Sequence, residues 1–99
     1  MVKHIVFWRL QEQAEGHTKA ENAQIIKEGL EGLVGRIPGL LSAEVGFALA
    51  DEGYDLCLVC AFEDEAALAV YQDHPEHDKV RQYVRKTTQA RACVDYKAD

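Results

Sequence analysis

Val2-Lys-His-Ile-Val-Phe-Trp-Arg-Leu10 alternates with a period of two. On a strand, His4, Val6, Trp8 and Leu10 fall on one face, and Lys3, Ile5, Phe7 and Arg9 on the other. Both faces carry large apolar groups at the strand centre. That predicts a strand covered on both sides, without a solvated back. Tyr54-Asp-Leu-Cys-Leu-Val-Cys-Ala-Phe62 repeats the pattern. There Leu56, Leu58, Cys60 and Phe62 share one face, Cys57, Val59 and Ala61 the other, and neither centre is polar.

The remaining elements order themselves around these two strands. Gln11 to His17 is polar and reads as a loop. Thr18-Lys-Ala-Glu21 matches a capping box, in which a threonine hydroxyl and a glutamate three residues on satisfy each other's backbone amides. Ile25, Ile26, Leu30, Leu33 and Val34 follow at helical spacing, which predicts a helix over 19–34 with Gly35 as its stop. Gly29 and Gly32 each cost such a helix about 1 kcal/mol against alanine and suggest a close backbone approach to the sheet. Ile37-Pro-Gly39 is a turn, and Leu40 to Leu49 a second strand with Gly46 as a candidate bulge. Asp51-Glu-Gly53 closes a hairpin. Asp64 caps a short helix over 65–71, His74-Pro75 opens another through 86, and Ala90 to Tyr96 is the last strand.

Strand, helix, strand, strand, helix, strand is the split βαβ, ferredoxin-like order of an α+β fold, here a single domain over residues 1–99. The helices cover one sheet face. Ile5, Phe7, Cys57, Val59 and Ala61 remain on the other, and so small a chain has nothing left to cover them. An apolar sheet face without cover seeks a partner, and two copies meeting face to face supply one with two-fold symmetry. A homodimer is therefore expected.

Composition narrows the partners further. The chain has 99 residues, 47% of them hydrophobic, and a net charge of −6, which disfavours nucleic acid and anionic membrane surfaces. No apolar run approaches the ~20 residues of a membrane span. The start lacks the apolar core and cleavage site of a signal peptide. Cys57-Leu-Val-Cys60 has the spacing of redox and zinc motifs, but residues three apart on a strand point to opposite faces. The three cysteines are expected to be free, structural thiols in a reducing cytoplasm.

Tyr71-Gln-Asp-His74-Pro75-Glu-His77 and His4 hold the groups able to exchange protons near neutral pH. His4 shares its strand face with Val6 and Trp8, so it points toward the helices, either as a core histidine or as part of a site. Tyr71 is either packing with a polar tip or a hydrogen-bonding group. His74 and His77 are three apart and can share a helix face; alternatively His74 caps the turn and His77 is solvated. Two imidazoles without a third ligand do not make a zinc site, so no metal and no cofactor are expected. Lys79, Arg81, Arg85 and Lys86 read as a solvated basic face.

Val2-Lys-His-Ile-Val-Phe-Trp8, Ile37-Pro-Gly39, Tyr54-Asp-Leu-Cys-Leu-Val59 and His74-Pro-Glu-His77, in this order, resemble the stress-responsive A/B barrel (Dabb) family. The resemblance runs from about Val2 to Tyr96 and implies a dimeric α+β barrel. That family includes a plant polyketide cyclase that needs no cofactor. By resemblance its catalytic tyrosine and histidine map to Tyr71 and His77, and a pocket histidine maps to His4. Leu56 stands where the cyclase has a further histidine, which makes the expected pocket more apolar. Val6, Trp8, Leu56, Leu58 and His74 are the expected ligand-binding residues. Two functions follow: a barrel of unassigned activity that binds a small apolar or carbonyl-containing ligand, or a cofactor-independent enzyme of cyclase, lyase or monooxygenase type using a Tyr/His acid–base pair. The space among His4, Trp8, Leu58, Tyr71 and His77 separates them. A closed core favours the first, an open cavity the second.

Overall fold

The structure is a computed structural model and describes residues 1–98. Its elements are β1 (Val2–Leu10), β2 (Gln13–Ala14), β3 (His17–Thr18), α1 (Lys19–Glu31), β4 (Leu40–Phe47), β5 (Leu56–Phe62), α2 (Glu65–Asp73), α3 (Pro75–Thr87) and β6 (Thr88–Lys97). Four strands form one antiparallel sheet in the order β4-β5-β1-β6. This is the ferredoxin-like α+β arrangement, with the helices on one sheet face. Among the described residues no helix is long and apolar enough to cross a membrane.

The alternation in β1 translates directly into burial. Val6, Trp8 and Leu10 are buried beneath the helices with Leu56, Leu58, Cys60 and Phe62 of β5. Ile26 and Leu30 of α1 and Leu33 just beyond it join this core, as do Leu68 and Tyr71 of α2 and Val84 of α3. The opposite face is open. Ile5 and Val59 are half-buried there, and Phe7, Val94 and Tyr96 are exposed. The three cysteines are free; Cys60 lies in the core, and Cys57 sits on the other side of the same strand.

The Thr18 capping box forms as read: the Thr18 hydroxyl accepts from the Glu21 amide at 3.2 Å, and the Glu21 carboxylate accepts from the Thr18 amide at 2.9 Å. Several details differ from the sequence reading. The polar stretch after β1 contains a two-strand ribbon, turned by Glu15 and Gly16 at φ +52° and +79°. Asn22 ties it down, donating to the Ala14 carbonyl at 3.0 Å and accepting from the Tyr83 hydroxyl. Helix α1 stops at Glu31, capped by Gly32, so Val34 lies beyond it and is exposed. Gly29 does allow a close approach, but to α3: a Cβ there would lie 3.1 Å from Val80 Cγ1. Gly46 pairs regularly with Cys57, and the register slips instead between Leu40 and Ser42. Helix α2 runs on to Asp73.

Gly39, in the Ile37-Pro-Gly turn, is where backbone geometry leaves least room. Its φ is +84°, and a Cβ would lie 2.5 Å from the Ala67 Cβ on α2. Gly39→Ala should combine left-handed strain with this clash and cost at least ~2 kcal/mol in urea unfolding. Adding Ala67→Gly should recover the steric part and leave the strain; equal midpoints for Gly39→Ala and wild type would contradict the packing.

Candidate functional site

His4 reaches the site because β1 is hydrogen-bonded on both edges. The register places it opposite Cys60 of β5 and Asp95 of β6, all on the helix-covered face. Its ring is buried, and the Asp95 carboxylate accepts from Nδ1–H. That bond selects the tautomer whose Nε2 carries the lone pair. The Cys93 thiol lies 3.7 Å from the same Nδ1 and 3.6 Å from the carboxylate. Among the described residues, His4, Cys93 and Asp95 form the group whose ligand atoms all lie within 4.8 Å of one another, and neither His74 nor His77 belongs to it.

Tyr71 closes the last full turn of α2, where helical spacing from Ala67 and Leu68 turns it inward. Its ring is 1% exposed and meets Phe62 edge-on at 5.0 Å between centroids and His4 at 6.0 Å. The His77 ring stacks on it at 3.9 Å with planes 22° apart. His77 Nδ1 lies 2.9 Å from the Tyr71 carbonyl oxygen and donates to it, which leaves Nε2 as the basic nitrogen. Burial lowers the His77 pKa to about 4 against the backbone hydrogen bond, with the Arg81 charge acting in the same direction as burial. The ring is thus neutral at pH 7. Burial also raises the Tyr71 pKa, with the Cys60 thiol beside it adding to the rise, so the phenol keeps its proton. Burial pushes the Cys60 thiol up to about 12.

His74 takes its other expected role. It is the N-cap of α3, and its Nδ1 accepts from the Glu76 amide at 3.1 Å. It does not share a site with His77. Pro75 follows at the first helical position, where no amide hydrogen is required.

An open cavity of about 400 Å³ lies between the sheet and the helices. Val6, Trp8 and Leu58 from the sheet and Leu30 and Val84 from the helices form its apolar wall, and His4, Tyr71 and His77 border it. Leu56, although paired with Trp8, does not line it and instead borders a separate surface pocket with Phe7 and Tyr54. Nor does His74. Arg81, Arg85 and Arg91 do: Arg85 is exposed, as the solvated-face reading expects, whereas Arg81 is half-buried and departs from it. Lys79 and Lys86 are exposed as read. The i,i+4 spacing of Arg81 and Arg85 carries the signal that one helix face holds both. Asp95, Cys93 and Arg91 could be found only once the β1–β6 register was known.

A four-stranded antiparallel sheet with helices on one side, and a cavity bordered by two imidazoles and a phenol between the layers, define a protein of the ferredoxin-like α+β class. Residues 2–98 match the stress responsive A/B barrel domain, and the chain belongs to this Dabb family. A dimeric protein of ferredoxin-like fold from Bacteroides fragilis is 28% identical, with a TM-score of 0.80 over 98% of this chain and 95% of that one. A protein of Arabidopsis thaliana is 22% identical, with a TM-score of 0.85 over 100% and 96%. A hydroxynitrile lyase of Passiflora edulis is 16% identical, with a TM-score of 0.84 over 99% and 93%. For the last two, the likeness is one of fold. No curated protein matches the sequence.

The depressed His77 pKa has a consequence for stability. The unfolded chain takes up a proton near the ordinary value of 6.5 and the folded chain only near 4, so the stability this group confers is complete above about 6.5 and is lost as pH falls toward 4. Discounted for partial exposure, the loss between pH 7 and pH 5 should be on the order of 1 kcal/mol. His77→Gln should flatten that part of the stability–pH curve, as urea melts at both pH values can establish.

Proposed function

We propose that the chain works as a homodimer, with the open sheet faces in contact, and that each protomer's cavity binds a small, largely apolar carbonyl compound and transfers protons to and from it. The observation that carries this reading is the stacking of neutral His77 on buried Tyr71 at the wall of an open cavity, with the His4 ring 6.0 Å from the same tyrosine. An acidic C–H alpha to a carbonyl can give its proton to His77 Nε2, because Nδ1–H is already committed to the Tyr71 carbonyl. The electron pair moves onto the carbonyl oxygen, where a protonated Tyr71 hydroxyl can donate to the developing enolate. His77, then an imidazolium in an apolar wall, returns the proton readily. Tyr71 also fixes the plane of the His77 ring. Asp95 does the equivalent for His4.

The dimer reading rests on the exposed apolar side chains of the open face, Phe7, Val94 and Tyr96, flanking half-buried Ile5 and Val59. It also accords with the dimeric protein of Bacteroides fragilis. Light scattering should return twice the chain mass at micromolar concentration. Val59→Asp, which places an unpaired charge in the contact, should return the single mass or aggregate.

Proton transfer can be tested with 4-phenylbutan-2-one in D2O, following deuterium uptake alpha to the carbonyl by NMR. The protein should accelerate exchange, and His77→Gln and Tyr71→Phe should each lower that acceleration by ~10²–10⁴-fold while leaving the dimer intact. The acid limb of the rate profile should fall near pH 4, below the ordinary histidine range. Binding without faster exchange would leave a ligand-binding barrel and remove the catalytic role.

A further inference from the structure

The cavity rim has a charge opposite to that of the molecule. The chain carries 17 acidic residues against 11 lysines and arginines, yet three arginines converge on this one opening. Arg81 and Arg85 come from successive turns of α3, and Arg91 from the helix-covered face of β6. Arg81 is already engaged: it donates to the Gln72 carbonyl at 2.8 Å and pairs with Asp78 at 2.6 Å. Its Nε–H nevertheless remains buried without a partner. Among the described residues, neither Arg85 nor Arg91 has a carboxylate within 4 Å. Asp73 is the acidic residue on the same wall, and it balances one charge at most.

We propose that the ligand of this cavity is an organic carboxylate, its apolar body against Trp8 and its carboxylate at the rim between Arg85 and Arg91. Guanidinium groups match a carboxylate in shape and charge and are less strongly hydrated than lysine, so they keep this preference at the mouth of an apolar cleft. In an acidic protein, arginines without a carboxylate partner at a single opening also draw an anion toward it against the field of the whole molecule. With the carboxylate at the rim, the carbonyl and its acidic C–H lie deeper, toward His77 and Tyr71. The inference rests on the cavity being the ligand site and names the class of compound; the proton chemistry is a separate matter that the same probes can resolve.

The test uses 2-oxo-4-phenylbutanoate, its methyl ester and the fluorescence of Trp8, the single tryptophan, which lines the cavity. The acid should quench at least about tenfold more tightly than the ester, and only the acid should weaken with added salt. Arg85→Gln and Arg91→Gln should each weaken the acid about fivefold and leave the ester unchanged, while Lys79→Gln, on an exposed lysine, alters neither. Equal affinity for acid and ester, no binding of the acid at millimolar concentration, or displacement of the acid by inorganic phosphate at matching concentration would each overturn the assignment. Arginine-dependent binding of the acid without deuterium exchange at its C3 would uphold it and count against the proton-transfer reading alone.

Discussion

Strand β1 is hydrogen-bonded to β5 on one edge and β6 on the other, and the rest of the molecule depends on that double pairing. A strand held on both edges cannot rotate, so its period of two becomes a rigid sorting rule. His4, Val6 and Trp8 must face the helices, while Ile5 and Phe7 must face away. The cavity and the open sheet face are therefore built back to back on the same few residues. A slip of one residue would exchange them, burying Lys3 and Arg9 and exposing His4. The same register brings Asp95 against His4, a contact between residues 91 positions apart in the chain.

Burial then does the electrostatic tuning. Tyr71 sits in the core between Phe62, His4 and His77, and its carbonyl holds the His77 ring. Removing His77 from water favours its neutral form, and removing Tyr71 from water favours the protonated phenol. One apolar environment thus keeps a neutral imidazole and a protonated phenol side by side. A chain of 99 residues has little core to spare, and leaving about 400 Å³ open between its layers forfeits packing contacts that would otherwise add stability. Around that opening the arginines of α3 and β6 collect, although the chain as a whole is acidic.

Much of this was legible from local chemistry. The strands announce themselves by alternation, α1 by Thr18 and Glu21, α2 by Asp64, and α3 by His74-Pro75. Each of these signals acts within a few residues, so it survives removal from context. The misreadings arose where two local signals competed. Gly32 ends α1 before its apolar spacing does, and Gly46 looked like a bulge although the slip falls nearer the start of β4, between Leu40 and Ser42. His74 was legible as a cap and, equally, as a partner for His77; the first reading needed only its own backbone, and that is the one the fold adopts.

Sequence by itself determined the ferredoxin-like order of elements and the two-faced sheet, because periodicity and capping are properties of neighbouring residues; the pairing of Tyr71 with His77 came only by family resemblance. Tertiary structure alone decided that His4 meets Asp95, that Leu56 lies outside the cavity while Leu58 lines it, and that Arg81, Arg85 and Arg91 share one rim. Those facts depend on strand register and on the angle at which α3 crosses the sheet. Both are settled by packing between segments far apart in the chain, such as Val80 against Gly29 and Asn22 against Tyr83.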